Sequence, residues 1–472
     1  NITDALAAGN HVYITTFSDG VGEAGNITIS TAISANNSIS RNLVLFASDK
    51  ITINQDITAT NHKLNITLRA QGDILLADNV DITTRGGTFT VGGANDTAEL
   101  FGGSADGAGS FTQNATATIV TTGKDDTAGG AVTIKADIRN PGSGATTGTI
   151  DIKGDITTKG GTATGSNAGT AGGDVSLTSM TSAGVITIST GADIDTRGSD
   201  GQSGATGGAG GAVTLDTANT VITLHDTEIK TDGGTSSGTK GAGGTITIKD
   251  PLQIGTNTVT LQTGASSNNS ATAGKVVIES TIDSVSTTTK QLDIISGAGA
   301  VDLGGVIGGT TALSALNINA SSGTGNIDIT NIGDGTPSLG VTGTVVLGNA
   351  NTGTLDLDGT NYDVGGITFG SNYTFSGSTG NFETSGDIRF LGNVTVNGNL
   401  TLDSGGGDIT FDGNITGTDG DEILTLTDGA TGGENGTITF SGNVGAGNNL
   451  LSLVATADTA IKFGGTVTTA NA

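Results

Sequence analysis

The sequence predicts an all-β fold, a right-handed parallel β-helix (solenoid) with about 21–23 residues and three short strands in each coil. Three observations lead to this prediction: short apolar clusters recur at that period, glycine is abundant, and no window has the apolar spacing of a helix. Of the 472 residues, 82 are glycine, 3 are proline and none is cysteine. This composition excludes a collagen helix and a disulfide framework. Because 34% of the residues are hydrophobic, the chain has enough apolar surface for a core.

The clearest repeat is Ile-x-Phe followed, two residues later, by Gly-Asn-Val or a close variant. Copies begin at Ile388, Ile409, Ile438 and Ile461, and a degenerate copy begins at Ile367, so successive starts are 21, 21, 29 and 23 residues apart. Clusters with period-2 alternation and turn residues between them are typical of short strands. Three such strands close one coil, and the next coil lies about 4.8 Å above it. The repeat therefore predicts parallel sheets along the solenoid.

Two residue types in this repeat have predicted stacking roles. Five phenylalanines follow the isoleucines by two residues, so we expect them to stack on the inward face. They are Phe369, Phe390, Phe411, Phe440 and Phe463. Asparagines at one corner are expected to bond from coil to coil through their side-chain amides. They are Asn372, Asn393, Asn414 and Asn443. The glycine before Asn393, Asn414 and Asn443 is expected to supply a positive φ at the corner.

The chain divides into three regions of one continuous solenoid. Residues 1–120 read as regular coils, residues 121–250 as coils with glycine-rich corner insertions, and residues 251–472 as coils with the Ile-x-Phe repeat and the asparagine ladder. In the middle region, variable Gly/Ser/Ala/Thr stretches end in Gly-Gly pairs whose second glycines are 43, 38 and 33 residues apart. We expect these stretches to be loops expelled from one corner and stacked along one side. Neither end of the sequence shows an amphipathic capping helix.

The charge pattern excludes some partners. The chain has 18 basic and 45 acidic residues, a net charge of −27, and its basic residues are dispersed. A nucleic-acid backbone requires clustered cations, so we expect no nucleic-acid partner. No apolar run approaches the roughly 20 residues of a membrane span, so none is expected.

Candidate catalytic groups are sparse. Some parallel β-helices are polysaccharide lyases or hydrolases, which need paired carboxylates near other polar groups. The adjacent pair Asp125 and Asp126 lies in a polar corner, where we expect a solvated turn. His11, His62 and His225 are far apart in sequence and are expected at strand edges or corners. We therefore assign no catalytic residues and predict that the chain is not an enzyme.

One acidic segment is a weak candidate for calcium. Asp419, Asp421 and Glu422 have the spacing of a calcium-binding nonapeptide repeat, in which one turn shares its ligands with the next. Only one copy is present, so half of the ligands have no source, and a plain acidic corner is the alternative. No other metal or cofactor is expected.

Three segments resemble the β-helical shaft of filamentous haemagglutinin-type adhesins, which bacteria export by two-partner secretion. They are residues 42–54 (NLVLFASDKITIN), residues 407–411 (GDITF) and residues 196–198 (TRG) with the downstream Gly-Gly pair. The resemblance implies an extracellular or cell-surface protein that passes an outer-membrane transporter during export. Its ligand would be a protein or glycan on a host-cell, bacterial or matrix surface. The Asn-Pro-Asn signatures of the secretion domain are absent, so we expect an internal shaft segment or a relative exported by another route.

These inferences predict a non-catalytic rod segment of a large secreted or cell-surface bacterial adhesin that mediates attachment. The alternative is a self-assembling structural subunit of an extracellular filament, sheath or surface layer. A β-helix end carries unpaired N–H and C=O groups that favour end-to-end self-association. A polysaccharide lyase or hydrolase is the third and least favoured function.

Overall fold

A computed structural model shows a chain built almost entirely of parallel β-strands. It describes residues 1–16, 25–36, 39–70, 72–92, 109–136, 148–264, 273–286, 289–321, 323–334, 339–349, 352, 355–357, 362–370, 372–376, 380–429 and 436–470. These residues form two compact units, residues 1–264 with 273–275 and residues 276–470. Each unit is a parallel β-helix, which confirms the predicted fold class.

The first unit contains one short helix and 24 strands. They are α1 (Ile2–Ala7), β1 (Val12–Thr15), β2 (Ile27–Ile29), β3 (Ile33–Ala35), β4 (Arg41–Ala47), β5 (Ile51–Ile53), β6 (Ile57–Ala59), β7 (Leu64–Ala70), β8 (Ile74–Leu76), β9 (Asp81–Thr83), β10 (Phe89–Val91), β11 (Phe111–Gln113), β12 (Thr118–Val120), β13 (Val132–Ala136), β14 (Ile150–Ile152), β15 (Ile156–Thr157), β16 (Val175–Ser179), β17 (Ile186–Ile188), β18 (Ile194–Asp195), β19 (Val213–Asp216), β20 (Ile222–His225), β21 (Glu228–Lys230), β22 (Ile246–Ile248), β23 (Leu252–Thr256) and β24 (Thr258–Gln262).

The strands of this unit lie in three parallel ladders, because each strand pairs with the strand three positions later in the chain. β4, β5 and β6 make one coil and pair in register with β7, β8 and β9 of the following coil. Leu43 lies over Ile66, and Ile66 over Phe89, at sequence intervals of 23 residues. The predicted coil of three short strands is confirmed here.

Alternation along each strand places the core. In β4 and β7, Leu43, Leu45, Ile66 and Leu68 are buried, whereas the residues between them are partly exposed. Successive side chains of a strand point to opposite faces, so the apolar residues converge on the axis of the coil. Each inward side chain packs on its counterpart in the next coil, and Ile, Val and Leu suit this half-buried surface.

The helix α1 corrects the expectation that no capping helix is present at either end of the sequence. Asn1 caps it, since the Asn1 side chain accepts a hydrogen bond from the Asp4 N–H at 2.9 Å. Its buried residue is Leu6, and the helix contacts β1 and β3. At six residues, the helix has too few apolar positions for its pattern to be recognised in the sequence.

The second unit contains 20 strands. They are β25 (Val276–Ile278), β26 (Ile282–Ser284), β27 (Gln291–Ile295), β28 (Val301–Ile307), β29 (Ala315–Ile318), β30 (Ile327–Ile332), β31 (Val341–Leu347), β32 (Leu355–Leu357), β33 (Val364–Phe369), β34 (Tyr373–Ser376), β35 (Gly380–Glu383), β36 (Ile388–Phe390), β37 (Val394–Asn397), β38 (Leu400–Asp403), β39 (Ile409–Phe411), β40 (Ile415–Gly417), β41 (Ile423–Thr427), β42 (Thr437–Phe440), β43 (Ser452–Thr456) and β44 (Ala460–Phe463).

Longer strands join two ladders at the start of this unit. β28 pairs with β25 through its first residues and with β26 through Ile307. From β33 onward the ladders separate again: β33, β36, β39, β42 and β44 form one, β34, β37 and β40 a second, and β35, β38, β41 and β43 a third. The later coils therefore have the three-strand arrangement predicted from the Ile-x-Phe repeat.

The five phenylalanines of that repeat stack as predicted. Adjacent ring centroids from Phe369 through Phe390, Phe411 and Phe440 to Phe463 are 4.5, 4.9, 5.5 and 4.9 Å apart, and no adjacent pair is tilted by more than 9°. The first four rings are at most 1% exposed, whereas Phe463 is 50% exposed. The ladder therefore contributes most of its apolar burial through its first four members.

The asparagine corner does connect successive coils, but through different atoms than predicted. The side-chain oxygens of Asn372, Asn393 and Asn414 each accept a hydrogen bond, at 2.8 Å, from the backbone N–H of the asparagine one coil further on. Asn443 accepts from the Thr466 N–H at 2.9 Å. The strand ladder is interrupted at the corner, so a side-chain acceptor satisfies an N–H that would lack a partner.

The glycines before these asparagines do not have positive φ, which corrects the second part of the corner prediction. Their backbones instead stack too closely for a side chain. A Cβ on Gly413 would collide with the carbonyl oxygen of Gly392, and a Cβ on Gly442 with that of Gly413. Close approach of the backbones, rather than the left-handed conformation, requires glycine at this corner.

Phe411→Ala is expected to lower the free energy of unfolding by about 3–5 kcal/mol, because it leaves a cavity between two stacked rings. Denaturant unfolding of the purified chain measures the loss. Phe463→Ala is the matched control and is expected to cost much less, since that ring is half exposed. Equal losses in the two variants would contradict a buried aromatic ladder.

Gly413→Ala is expected to destabilise the second unit by about 1–3 kcal/mol through overpacking. Gly304→Ala is the control, since its Cβ would have no neighbour nearer than Glu279 O at 3.6 Å. At that position alanine is expected to be neutral or to stabilise by up to about 1 kcal/mol. Thermal melts that rank the two variants in the opposite order would rule out the close-approach explanation.

Candidate functional site

Four glycine-rich insert loops leave the first unit at one corner, between the third strand of a coil and the first strand of the next. The insert loops are residues 122–129, 159–172, 197–210 and 232–243. They follow β12, β15, β18 and β21, which are consecutive strands of one ladder. The loops consequently emerge one above another at the spacing of the coils.

The insert loops are hydrogen-bonded to each other through their backbones. Gly160 donates to Arg197 O at 3.0 Å, Gly169 to Thr206 O at 2.8 Å and Gly207 to Thr239 O at 2.9 Å. The first bond joins the outgoing arms of neighbouring loops, and the other two join their returning arms. The loops therefore form a continuous ridge, and their conformation is held by the same kind of ladder as the coils.

Glycine makes this stacking sterically feasible. A Cβ on Gly208 would collide with Thr170 O, and one on Gly241 would collide with Gly208 O. The loop backbones approach each other too closely for any larger residue at these positions. The glycine content of the loops therefore reflects stacking rather than flexibility.

The crest of the ridge presents polar side chains. Hydroxyl, amide and carboxylate groups predominate among its exposed residues. These are Asp125, Asp126, Thr162, Thr164, Ser166, Asn167, Asp200, Gln202, Ser203, Thr206, Thr235, Ser237 and Thr239. Such groups provide both hydrogen-bond donors and acceptors toward a ligand surface.

The carboxylate pair Asp125 and Asp126 lies in an exposed turn of the first insert loop. Asp126 has φ of 55° and accepts hydrogen bonds from both the backbone N–H and the hydroxyl of Thr164 in the next loop. These bonds hold the pKa of Asp126 below its usual value. Asp126 thus connects one insert loop to the next.

A charged cluster lies at the base of the ridge and was not recognised in the sequence. Arg197 binds Asp195 through two nitrogens, Nε at 2.9 Å and Nη2 at 2.7 Å, and Lys159 Nζ reaches Asp195 Oδ2 at 2.7 Å. Burial alone would raise the pKa of Asp195, but the hydrogen bonds and charges of Arg197 and Lys159 outweigh it, so the pKa lies below its usual value. Asp195 raises the pKa of Arg197 in turn.

A sequence signal for this cluster was nevertheless present. Charged residues flank the threonine that directly follows the third strand, as in Asp195-Thr196-Arg197 and Lys230-Thr231-Asp232. The pairing Asp195↔Lys230 places these residues in neighbouring coils on one outer face. Aligning successive coils at that threonine would have indicated the cluster.

The three histidines occupy separate positions. His11 precedes β1 and accepts a hydrogen bond at Nδ1 from Asn42 N–H at 3.1 Å. His62 is exposed at a bend between β6 and β7, and His225 ends β20. Their positions match the predicted strand edges and corners.

The candidate calcium ligands Asp419, Asp421 and Glu422 do converge, with one oxygen from each within 4.8 Å of the others. Glu422 is fully buried, and its carboxylate accepts hydrogen bonds from the N–H groups of Thr418, Asp419 and Gly420. Burial would raise the pKa of Glu422, but these bonds lower it below its usual value. Glu422 thus already stabilises the turn, and the exposed Asp419 and Asp421 would have to supply the remaining ligands.

No protein-family profile matches the sequence. No curated protein matches it at a significant level. The resemblance to haemagglutinin-type shafts therefore stays a prediction. Among the residues that the structure describes, no helix has the length and apolarity required to cross a membrane.

Asp195→Asn is expected to lower the melting temperature of the first unit at neutral pH by roughly 2–4 °C. This shift corresponds to a loss of about 1 kcal/mol of stability, because the charged hydrogen bonds of Asp195 are partly screened by solvent. Because the pKa of Asp195 is lowered in the folded state, its contribution is present above the usual value of 3.8 and is lost as pH falls through the lower folded value.

Thermal melts between pH 7 and pH 2 measure this difference between wild type and variant. The difference is expected to shrink below pH 3.8. Asp216→Asn is the control, because Asp216 pairs only with the more exposed Lys249 in the described structure, at 2.8 Å. A difference that grows on acidification would contradict the assignment.

Proposed function

We propose that the chain is a non-catalytic shaft segment of a large secreted or cell-surface adhesin, and that the ridge of insert loops is its contact surface. The observation that supports this proposal is the backbone hydrogen bonding between loops, which fixes a row of polar side chains on the first unit. A ligand on a host-cell, bacterial or matrix surface would be recognised by these groups.

A fixed ridge is well suited to binding. A flexible loop loses conformational entropy when it binds, and that loss weakens affinity. The insert loops are already ordered by bonds such as that from Gly169 to Thr206 O at 2.8 Å. Their repeated spacing also allows several weak contacts with one extended or repetitive ligand to act together.

The composition is compatible with an extracellular location. The chain has a net charge of −27 and no cysteine, so it is strongly acidic and requires no particular redox environment. Together with the resemblance to haemagglutinin-type shafts, this composition favours a protein exported through an outer-membrane transporter and presented outside the cell.

Binding of the purified chain to arrays of glycans and extracellular-matrix proteins, and to epithelial cell monolayers, tests the proposal. The combined variant Ser166→Arg, Gln202→Arg and Ser237→Arg places bulky side chains on exposed crest positions. If the ridge is the contact surface, this variant is expected to lose at least tenfold in affinity, since several contacts are blocked together.

The combined variant Thr52→Arg, Thr112→Arg and Thr187→Arg is the matched control, because it adds the same charge on the outer face of β5, β11 and β17. It is expected to bind like the wild type. Equal losses in both variants would refute the ridge as the contact surface. Long fibres of constant width in negative-stain images would instead support the self-assembling subunit.

A further inference from the structure

A buried threonine stands at the base of every insert loop and at the equivalent position of neighbouring coils. Each of these threonines directly follows the last residue of a third strand and is fully buried. They are Thr84, Thr121, Thr158, Thr196, Thr231 and Thr263. A hydroxyl buried at such a position is costly unless it finds a partner.

Each threonine hydroxyl donates to the carbonyl oxygen of a glycine at the start of the next coil, at 2.5 or 2.6 Å. The pairs are Thr84 with Gly87, Thr121 with Gly130, Thr158 with Gly173, Thr196 with Gly211, Thr231 with Gly244 and Thr263 with Gly274. We call each of these Thr–Gly pairs a neck.

A second hydrogen bond runs in the opposite direction across the necks. Gly130 N–H donates to Thr121 O at 2.8 Å, and Gly173 N–H donates to Thr158 O at 2.7 Å. The same backbone bond occurs between Gly87 and Thr84 at 3.1 Å. The two bonds form a closed ring that joins the outgoing and returning chain.

Neck geometry does not depend on the length of chain that it encloses. Two residues separate Thr84 from Gly87, 8 separate Thr121 from Gly130, and 14 separate Thr158 from Gly173. The hydroxyl bonds in these three necks are 2.6, 2.5 and 2.5 Å long. A corner without a loop and a corner with the longest loop therefore close in the same way.

The neck glycines also stack from coil to coil. A Cβ on Gly130 would collide with Gly87 O, one on Gly173 with Gly130 O, and one on Gly211 with Gly173 O. Glycine is thus required by close approach at each neck. The threonine and the glycine together form a repeated unit that is independent of the intervening sequence.

We propose that each neck is an insertion port: the Thr–Gly pair fixes the corner of the coil, so the coil closes in the same way over loops of different lengths. The neck threonines are positioning residues for the ridge. Only this last role rests on the proposed function, and insertion tolerance is independent of it.

Exchange of loops between necks tests the port directly. In one variant residues 122–129 are replaced by Arg-Gly, the sequence of residues 85–86, and in a second variant residues 85–86 are replaced by a copy of residues 122–129. Both are expected to keep the far-ultraviolet circular dichroism spectrum and a cooperative melt of the wild type. Unfolding of both variants would overturn the proposal, because the loop sequence would then determine the corner.

The role of the threonine is tested by hydrogen exchange. Thr121→Val removes the hydroxyl with little change in shape and is expected to raise amide exchange within residues 123–129 about five- to tenfold, the factor expected from loss of one buried hydrogen bond. Thr121→Ser keeps the hydroxyl and is expected to exchange like the wild type.

If Thr121 only stabilised the core, Thr121→Val would raise the amide exchange rate equally in the flanking strands β12 and β13. That outcome would refute the positioning role of the neck. Unchanged exchange in Thr121→Val would refute it as well. None of these measurements involves a ligand, so a failure of the neck is distinguishable from a failure of the adhesive function.

Discussion

Parallel hydrogen bonding between successive coils is the constraint on which the rest of this structure depends. It sets a spacing of about 4.8 Å at which equivalent residues of adjacent coils must be compatible. This spacing stabilises side chains that pack favourably on an identical residue, such as Phe390 on Phe411. Where the strand ladder is interrupted at a corner, a side-chain oxygen of Asn or Asp accepts a hydrogen bond from a backbone N–H of the next coil. Asp155 Oδ1, for example, accepts from the Asp193 N–H at 3.0 Å.

The fold could be predicted because residues at equivalent positions of successive coils recur at a nearly regular interval in the sequence. The interval between Ile388 and Ile409 and the Phe two residues later define both the coil and its inward face. The base of the insert loops could also be located, since Gly-Gly pairs mark where each loop returns to the coil. Periodicity reports which residues are equivalent, and that information suffices for strands and for loop positions.

Periodicity does not report which atoms meet, and that is why other features were missed or misassigned. Gly413 was expected to have a special φ, but the carbonyl oxygen of the coil beside it is what excludes a side chain. The bidentate pair of Arg197 with Asp195 depends on side-chain rotamers at a corner. Gln113 occupies a fully buried place between Leu76 and Ile152, where its amide donates to Ala117 O at 2.8 Å. The last two contacts do not recur from coil to coil, and the glycine contact recurs without a sign in the sequence of which atoms are close.

The ladder that joins the insert loops has a consequence for resistance to proteolysis. Glycine-rich polar segments at a surface are ordinarily the first places where proteases cut. A protease must bind the substrate chain in an extended form in its cleft. Here the loop backbone is already hydrogen-bonded to neighbouring loops through groups such as the Gly207 N–H. Cleavage would first require several loops to separate together. The insert loops are therefore expected to be cleaved more slowly than their glycine content alone suggests, although the chain has no disulfide.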